Sequence, residues 1–153
     1  MSIIKRILLI CAILILLLNT VGVFLSLRGS DVHTLISYDE VMRQKNIEKG
    51  EAVSEYLYRL NDLIHQGTIH YWEDEGIEKY NLRVPIWENY ILYLGSFVRP
   101  DIYKKYEYAN YKKALERGVG LCSQRANIVV GILSENKINA NIIGLNGHVV
   151  LRA

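Results

Sequence analysis

Two prolines and two cysteines are all that the 153 residues contain of either type. With so little proline the chain is no polyproline or collagen-like fibre, and its high aliphatic content excludes intrinsic disorder. The cysteines cannot build a disulfide framework in a soluble domain, because Cys11 lies inside an apolar run and only Cys122 lies beyond it. Charge is missing altogether between residues 7 and 27, and no acidic residue precedes Asp31. The formal net charge of +2 is therefore misleading. Three of the 18 basic residues (Lys5, Arg6 and Arg28) flank the uncharged stretch, so the remainder sets 15 basic residues against 16 acidic ones and carries −1. A near-neutral soluble part gives no basis for nucleic-acid binding.

What fills the uncharged stretch is apolar, unbroken from residue 7 to residue 18. The 21 residues from 7 to 27 would span roughly 31 Å as a helix, about the hydrocarbon thickness of a bilayer. Lys5 and Arg6 ahead of it predict a single-pass cell-membrane anchor, with a cytoplasmic N-terminus and an extracytoplasmic C-terminal part. A cleaved signal peptide is the rival reading. Its best small-residue cleavage site, Thr20-Val21-Gly22, is poor, and Phe24, Leu25 and Leu27 continue the run past it. The expected organisation is an anchor (or signal peptide) over residues 1–28 and one domain over residues 29–153, enough for a modest core.

Residues 31–37 read as a linker. Residues 38–66 carry a helical pattern, with Val53, Leu57, Leu60 and Ile64 at three- and four-residue spacing and Gly67 where a helix stops. Residues 68–81 resist assignment. Pro85 and Pro100 bound an apolar segment expected to be a short helix with Trp87, Tyr90, Ile91 and Leu94 inward. Residues 101–117 form a third helical pattern closed by Gly118. Four of the eleven tyrosines fall between Tyr103 and Tyr111. Tyr108, Tyr111 and Leu115 share a helical face there, and acidic residues offset the interleaved lysines, so packing explains them better than ligand binding. His65 and His70 are five apart rather than four, which puts them on different helical faces. With Glu73, Asp74 and Glu75 they make only a paper metal site, and neither metal nor cofactor is expected.

Chemistry concentrates after Gly118. Gly118-Val-Gly-Leu-Cys122 precedes an apolar run with Ala126, Val129, Val130 and Leu133 at helical spacing, so Cys122 falls on the first turn of a buried helix. The partial positive charge and free N–H groups of a helix N-terminus favour thiolate and stabilise an oxyanion. The two glycines allow a tight turn and close approach to the sulfur. Gln124 is either a further donor or a first-turn surface residue. Beyond the helix, Asn146-Gly147 separates two β-prone runs, a hairpin signal that puts His148 first on the returning strand. A thiolate beside an imidazole is the minimum apparatus for attack on an amide or ester.

The segments Ala114-Leu-Glu-Arg-Gly-Val-Gly-Leu-Cys122-Ser-Gln and Gly-Leu-Asn-Gly-His148-Val-Val resemble the bacterial transglutaminase-like superfamily. A looser likeness covers Val-Pro-Ile-Trp-Glu-Asn-Tyr at residues 84–90. The resemblance implies an α+β fold: helices preceding a papain-like core of a Cys-bearing helix and a β-hairpin. Cys122 would be the nucleophile and His148 the general base and acid, acting on a protein, peptide or other amide-bearing substrate. The family's third member, an Asp on the next strand, has no counterpart, since no acidic residue follows Glu135. Without that carboxylate an imidazole can take the wrong tautomer, a loss of up to ~10⁴ in comparable triads. The expectation is thus a membrane-anchored thiol enzyme truncated before its Asp strand, performing acyl transfer or amide hydrolysis. The alternatives are an inactive module of the same kind with a binding or structural role, and a helical protein whose Cys and His are coincidental. Oligomeric state is not legible.

Overall fold

The computed structural model describes residues 2–26, 32–71, 79–80, 82–86, 88–103 and 106–153, apart from the side chains of 21–26, 101 and 103. It is a mixed helix-and-strand chain with one N-terminal apolar helix. The elements run α1 (Ile3–Ser26), α2 (Tyr38–Gln44), α3 (Val53–Gly67), β1 (Ile69–His70), α4 (Tyr90–Val98), α5 (Pro100–Tyr103), α6 (Tyr111–Arg117), β2 (Val119–Gly120), α7 (Cys122–Glu135), β3 (Asn141–Leu145) and β4 (His148–Arg152). They divide into two compact units, residues 1–29 with 82–106, and residues 30–81 with 107–153.

In the first unit, α1 is long and apolar enough to cross a membrane, and none of its apolar window is buried in protein. Helix α4 starts where the Asn89 side chain accepts a bond from the Leu92 N–H (3.0 Å), a standard N-cap. Tyr90, Ile91 and Leu94, expected to point inward, are exposed. Trp87 lies outside the described residues. Pro100 opens α5 as its first residue, the helical position that lacks an N–H partner in any case.

The second unit is built around α7. Tyr56, Leu60, Leu63 and Ile64 of α3 and Ala114 and Leu115 of α6 pack with Ile128, Val129, Ile132 and Leu133 of α7, and Val41 of α2 completes the core. The helical pattern over residues 38–66 resolves into two helices instead of one. Lys45 is buried, its ammonium bonded to Glu135 and to the Tyr111 hydroxyl (3.0 Å), while its carbonyl accepts from the Tyr56 hydroxyl (2.6 Å). The Ile47 N–H donates to Asn136 (3.1 Å), and Gly50 turns the chain at φ 86°. Gly67 is the last residue of α3, and close approach explains it: a Cβ there would lie 2.5 Å from Val41 Cγ2. Gly118, by contrast, takes the left-handed conformation (φ 68°) and its N–H bonds to the carbonyls of Ala114 and Leu115, a helix stop of the expected kind.

The third helical pattern, over residues 101–117, also breaks. Asn110 caps α6, and residues 107–109 are drawn off by side chains of α7 described below. Two small sheets complete the unit. β1 and β2 pair in parallel, Ile69 with Val119 and His70 with Gly120. β3 and β4 pair antiparallel, Leu145 opposite His148. The hairpin stands where Asn146-Gly147 predicts it, but Gly147 alone of the two has positive φ (75°). The turn is therefore not type I′, which needs both.

Candidate functional site

Cys122 opens α7, and the β1–β2 pair that leads into it carries His70. Leu121 is extended (φ −72°, ψ 175°) and provides no side-chain cap, so Cys122 begins the helix with its first-turn N–H groups unclaimed by a capping side chain. Cys122 is a half-buried free thiol. The β1–β2 register sets His70 beside Gly120, two residues before the cysteine. His148 is the first residue of β4, a strand that packs on α7 and seats Leu151 against the core. His148 is exposed. The charges of Arg125, His148 and His65 all act on His70, after burial, to hold its imidazole below the ordinary value of 6.5. His70 is thereby biased toward the neutral form.

Cys122 and His148 thus stand on the elements expected of them. No hydrogen bond joins thiol to imidazole, and among the described residues no carboxylate is hydrogen-bonded to His148. The residues following Cys122 are committed to structure. Ser123 donates to Glu107 (2.5 Å). Gln124 is neither an open donor nor a surface residue: it is 1 % exposed. Its amide pairs with both backbone groups of Tyr108, accepting from the N–H at 2.6 Å and donating to the carbonyl at 2.9 Å. Asn127 adds a second bond to that carbonyl (2.9 Å). The missing Cβ of Gly120 makes room for Gln124, whose own Cβ would lie 2.7 Å away. Gly120 is thus required by packing, whatever it allows a substrate.

Arg125 ties α7 to the end of α3. Its guanidinium donates to Thr68 Oγ1 (2.8 Å), the Thr68 carbonyl (3.1 Å) and the His65 carbonyl (3.2 Å), and meets His65 Nδ1 at 2.9 Å. A cation at those carbonyls answers the negative end of α3. His65 is therefore engaged by a cation, an arrangement adverse to a metal ligand. Glu73, Asp74 and Glu75 lie outside the described residues. Among the described residues no three His, Cys, Asp or Glu side chains converge. His70 is the site neighbour that sequence reasoning passed over. No spacing marks it; only the parallel pairing of two two-residue strands brings it to Gly120.

The chain was compared with models of known families, with curated proteins and with solved structures, and nothing matches in any of the three.

Chemically, the arrangement offers a thiol at a helix N-terminus, first-turn backbone donors with no capping side chain, and two imidazoles on strands of different sheets. A thiolate there can add to a carbonyl carbon while first-turn N–H groups receive the developing oxyanion.

Proposed function

We propose that the protein is a membrane-anchored, extracytoplasmic thiol enzyme of the transglutaminase-like kind, acting on an amide-bearing protein or peptide. Cys122 attacks the carbonyl carbon and the oxyanion is received by the first-turn N–H groups of α7. His148 delivers a proton to the departing amine, leaving an S-acyl enzyme. A second amine or water then breaks the thioester, returning the proton to sulfur through the same imidazole. The anchor is α1, with Lys5 and Arg6 on the cytoplasmic side.

The observation that most favours this reading is the uncommitted thiol itself. Where the side chains of Ser123, Gln124, Arg125 and Asn127 are all hydrogen-bonded, that of Cys122 holds no structural bond, and it follows an N-cap, Leu121, with no capping side chain. A second reading, an inactive module with a binding or structural role, draws on the absent Cys122–His148 hydrogen bond. Apo catalytic bonds are often loose, so that absence alone does not decide.

Labelling decides between them. With the full chain in detergent micelles, iodoacetamide at pH 6 should modify Cys122, and His148→Ala should slow it roughly tenfold, by loss of the imidazolium that favours thiolate. Equal rates in the two proteins, with circular dichroism unchanged, would overturn the pairing and leave the non-catalytic module.

A further inference from the structure

The apolar residues of α4 are on the wrong side for a helix in water. Tyr90, Ile91, Leu94, Phe97 and Val98 are all exposed, Ile91 at 81 % and Val98 at 79 %. Their spacing makes one continuous stripe along the helix. The opposite side holds Leu92, Tyr93 and Gly95, which are half-buried, and Ser96, which is fully buried. No residue of α4 is charged. Ile102, on the short α5 that follows, extends the exposed apolar surface. Internal bonds hold this face in place. Tyr93 and Phe97 meet edge to face with centroids 5.3 Å apart, Arg83 lies over the Phe97 ring at 4.5 Å, and Ser96 donates to the Tyr93 carbonyl at 2.6 Å.

The same compact unit holds α1, and a hydrogen bond joins the two helices. The apolar window of α1 runs from Ile3 to Thr20. Its last residues, Asn19 and Thr20, are polar and turn their side chains back to carbonyls of Ile15, Leu16 and Leu17. The hydroxyl of Tyr90, first residue of α4, donates to Asn19 Oδ1 at 3.3 Å. Thus α4 begins beside the polar Asn19-Thr20 pair that interrupts the apolar run of α1, and it opens on tyrosine, a residue enriched at membrane–water boundaries. The nine residues of α4 reach about 13 Å, under half the ~30 Å hydrocarbon core, too short to cross it.

We propose that α4 and α5 lie in the outer interface of the bilayer beside α1, with Ile91, Leu94, Phe97 and Val98 dipped among the acyl chains. The occupant of this face is lipid. The stripe carries no charged side chain of its own and shares a compact unit with the apolar α1. The proposal rests on α1 as anchor and is independent of the chemistry at Cys122.

The test places an environment-sensitive fluorophore on single cysteines of the full chain carrying Cys11→Ser and Cys122→Ser. The sites are Leu94→Cys, Val98→Cys and, as an exposed control in the other unit, Tyr58→Cys. The chain is reconstituted in phosphatidylcholine vesicles. Emission from sites 94 and 98 should be blue-shifted and quenched by shallow spin-labelled lipid roughly threefold more strongly than site 58, since an interfacial helix sits about 5–10 Å into the headgroup–acyl boundary. Water-like emission at 94 and 98, equal to that at 58, overturns the proposal. So does a blue shift that lipid spin labels do not quench and that fades on dilution with lipid, which assigns the face to a second copy of the chain. Flotation after alkaline carbonate extraction reads the anchor separately, so failure of α1 as anchor and failure of α4 as interfacial helix are distinguishable.

Discussion

Helices α3 and α4 each carry an apolar stripe, and they treat it in opposite ways. On α3, Tyr56, Leu60, Leu63 and Ile64 turn inward against α7, and polar residues such as Asn61 and Asp62 face out. On α4 the stripe is exposed and the half-buried side is the one with glycine and serine. Periodicity is the same physical signal in both. It says that a helix has two solvents, and leaves open which of them is the protein core.

The largest expected effect tests that contrast directly. Leu60→Ala, at a fully buried position, should cost about 2–5 kcal/mol in urea unfolding of the full chain in micelles. Leu94→Ala, at 62 % exposure, should stay within about 0.5 kcal/mol. Comparable costs at the two sites would erase the distinction.

A middling effect sharpens the picture of α7. Gln124→Ala removes the bonds of its amide to the Tyr108 N–H and carbonyl, the carbonyl keeping Asn127, so a loss of about 1–3 kcal/mol is expected by the same unfolding measurement. Because Cys122 is not part of that network, its rate of alkylation in the folded state should change far less than with His148→Ala.

The smallest effect is a pH dependence read in the second unit, which holds both depressed carboxyls, Glu135 and Glu51. Glu135 is held down to about 2 by its bonds with Lys45 and then Tyr111, and Glu51 likewise to about 2, chiefly by its bond with Arg59. A depressed carboxyl stabilises fully above its unfolded value near 4.5 and loses that contribution as pH falls toward 2. His70 adds an earlier step: its lowered imidazole resists charging, so stability declines as pH drops below 6.5. Acid titration followed by circular dichroism should show the second unit melting while the helical signal of α1 persists. Glu135→Gln should flatten the portion below pH 4.5, and a profile identical to the parent's would remove Glu135 from the account.

Local signals read well from the sequence. The uncharged run became α1, Gly118 stops a helix in the left-handed conformation, Cys122 opens α7, and Asn146-Gly147 marks the hairpin. What escaped was decided by distant partners. The pattern over residues 38–66 breaks because Lys45 and Ile47 bond to Glu135 and Asn136, 90 and 89 residues away. Residues 107–109 leave the helical pattern because Gln124 and Asn127 hold the Tyr108 backbone. The pairing of His70 with Gly120 joins strands of two residues each, too short to show any alternation. The outward face of α4 escaped for a different reason, since hydropathy cannot tell an absent core from a lipid one.

The second unit is discontinuous in the chain, residues 30–81 and 107–153, and that has a consequence during synthesis. When α3 leaves the ribosome, the helix that covers Leu60, Leu63 and Ile64 has not been made. About 70 residues separate Leu60 from its α7 partners Ile128 and Leu133, some seconds of elongation at ~5–20 residues per second. Helix α1 is complete long before then. The nascent chain therefore has its apolar N-terminus available to a membrane while its core waits half-assembled, and mutations that weaken α7 should first be felt as degradation or aggregation of unfinished molecules.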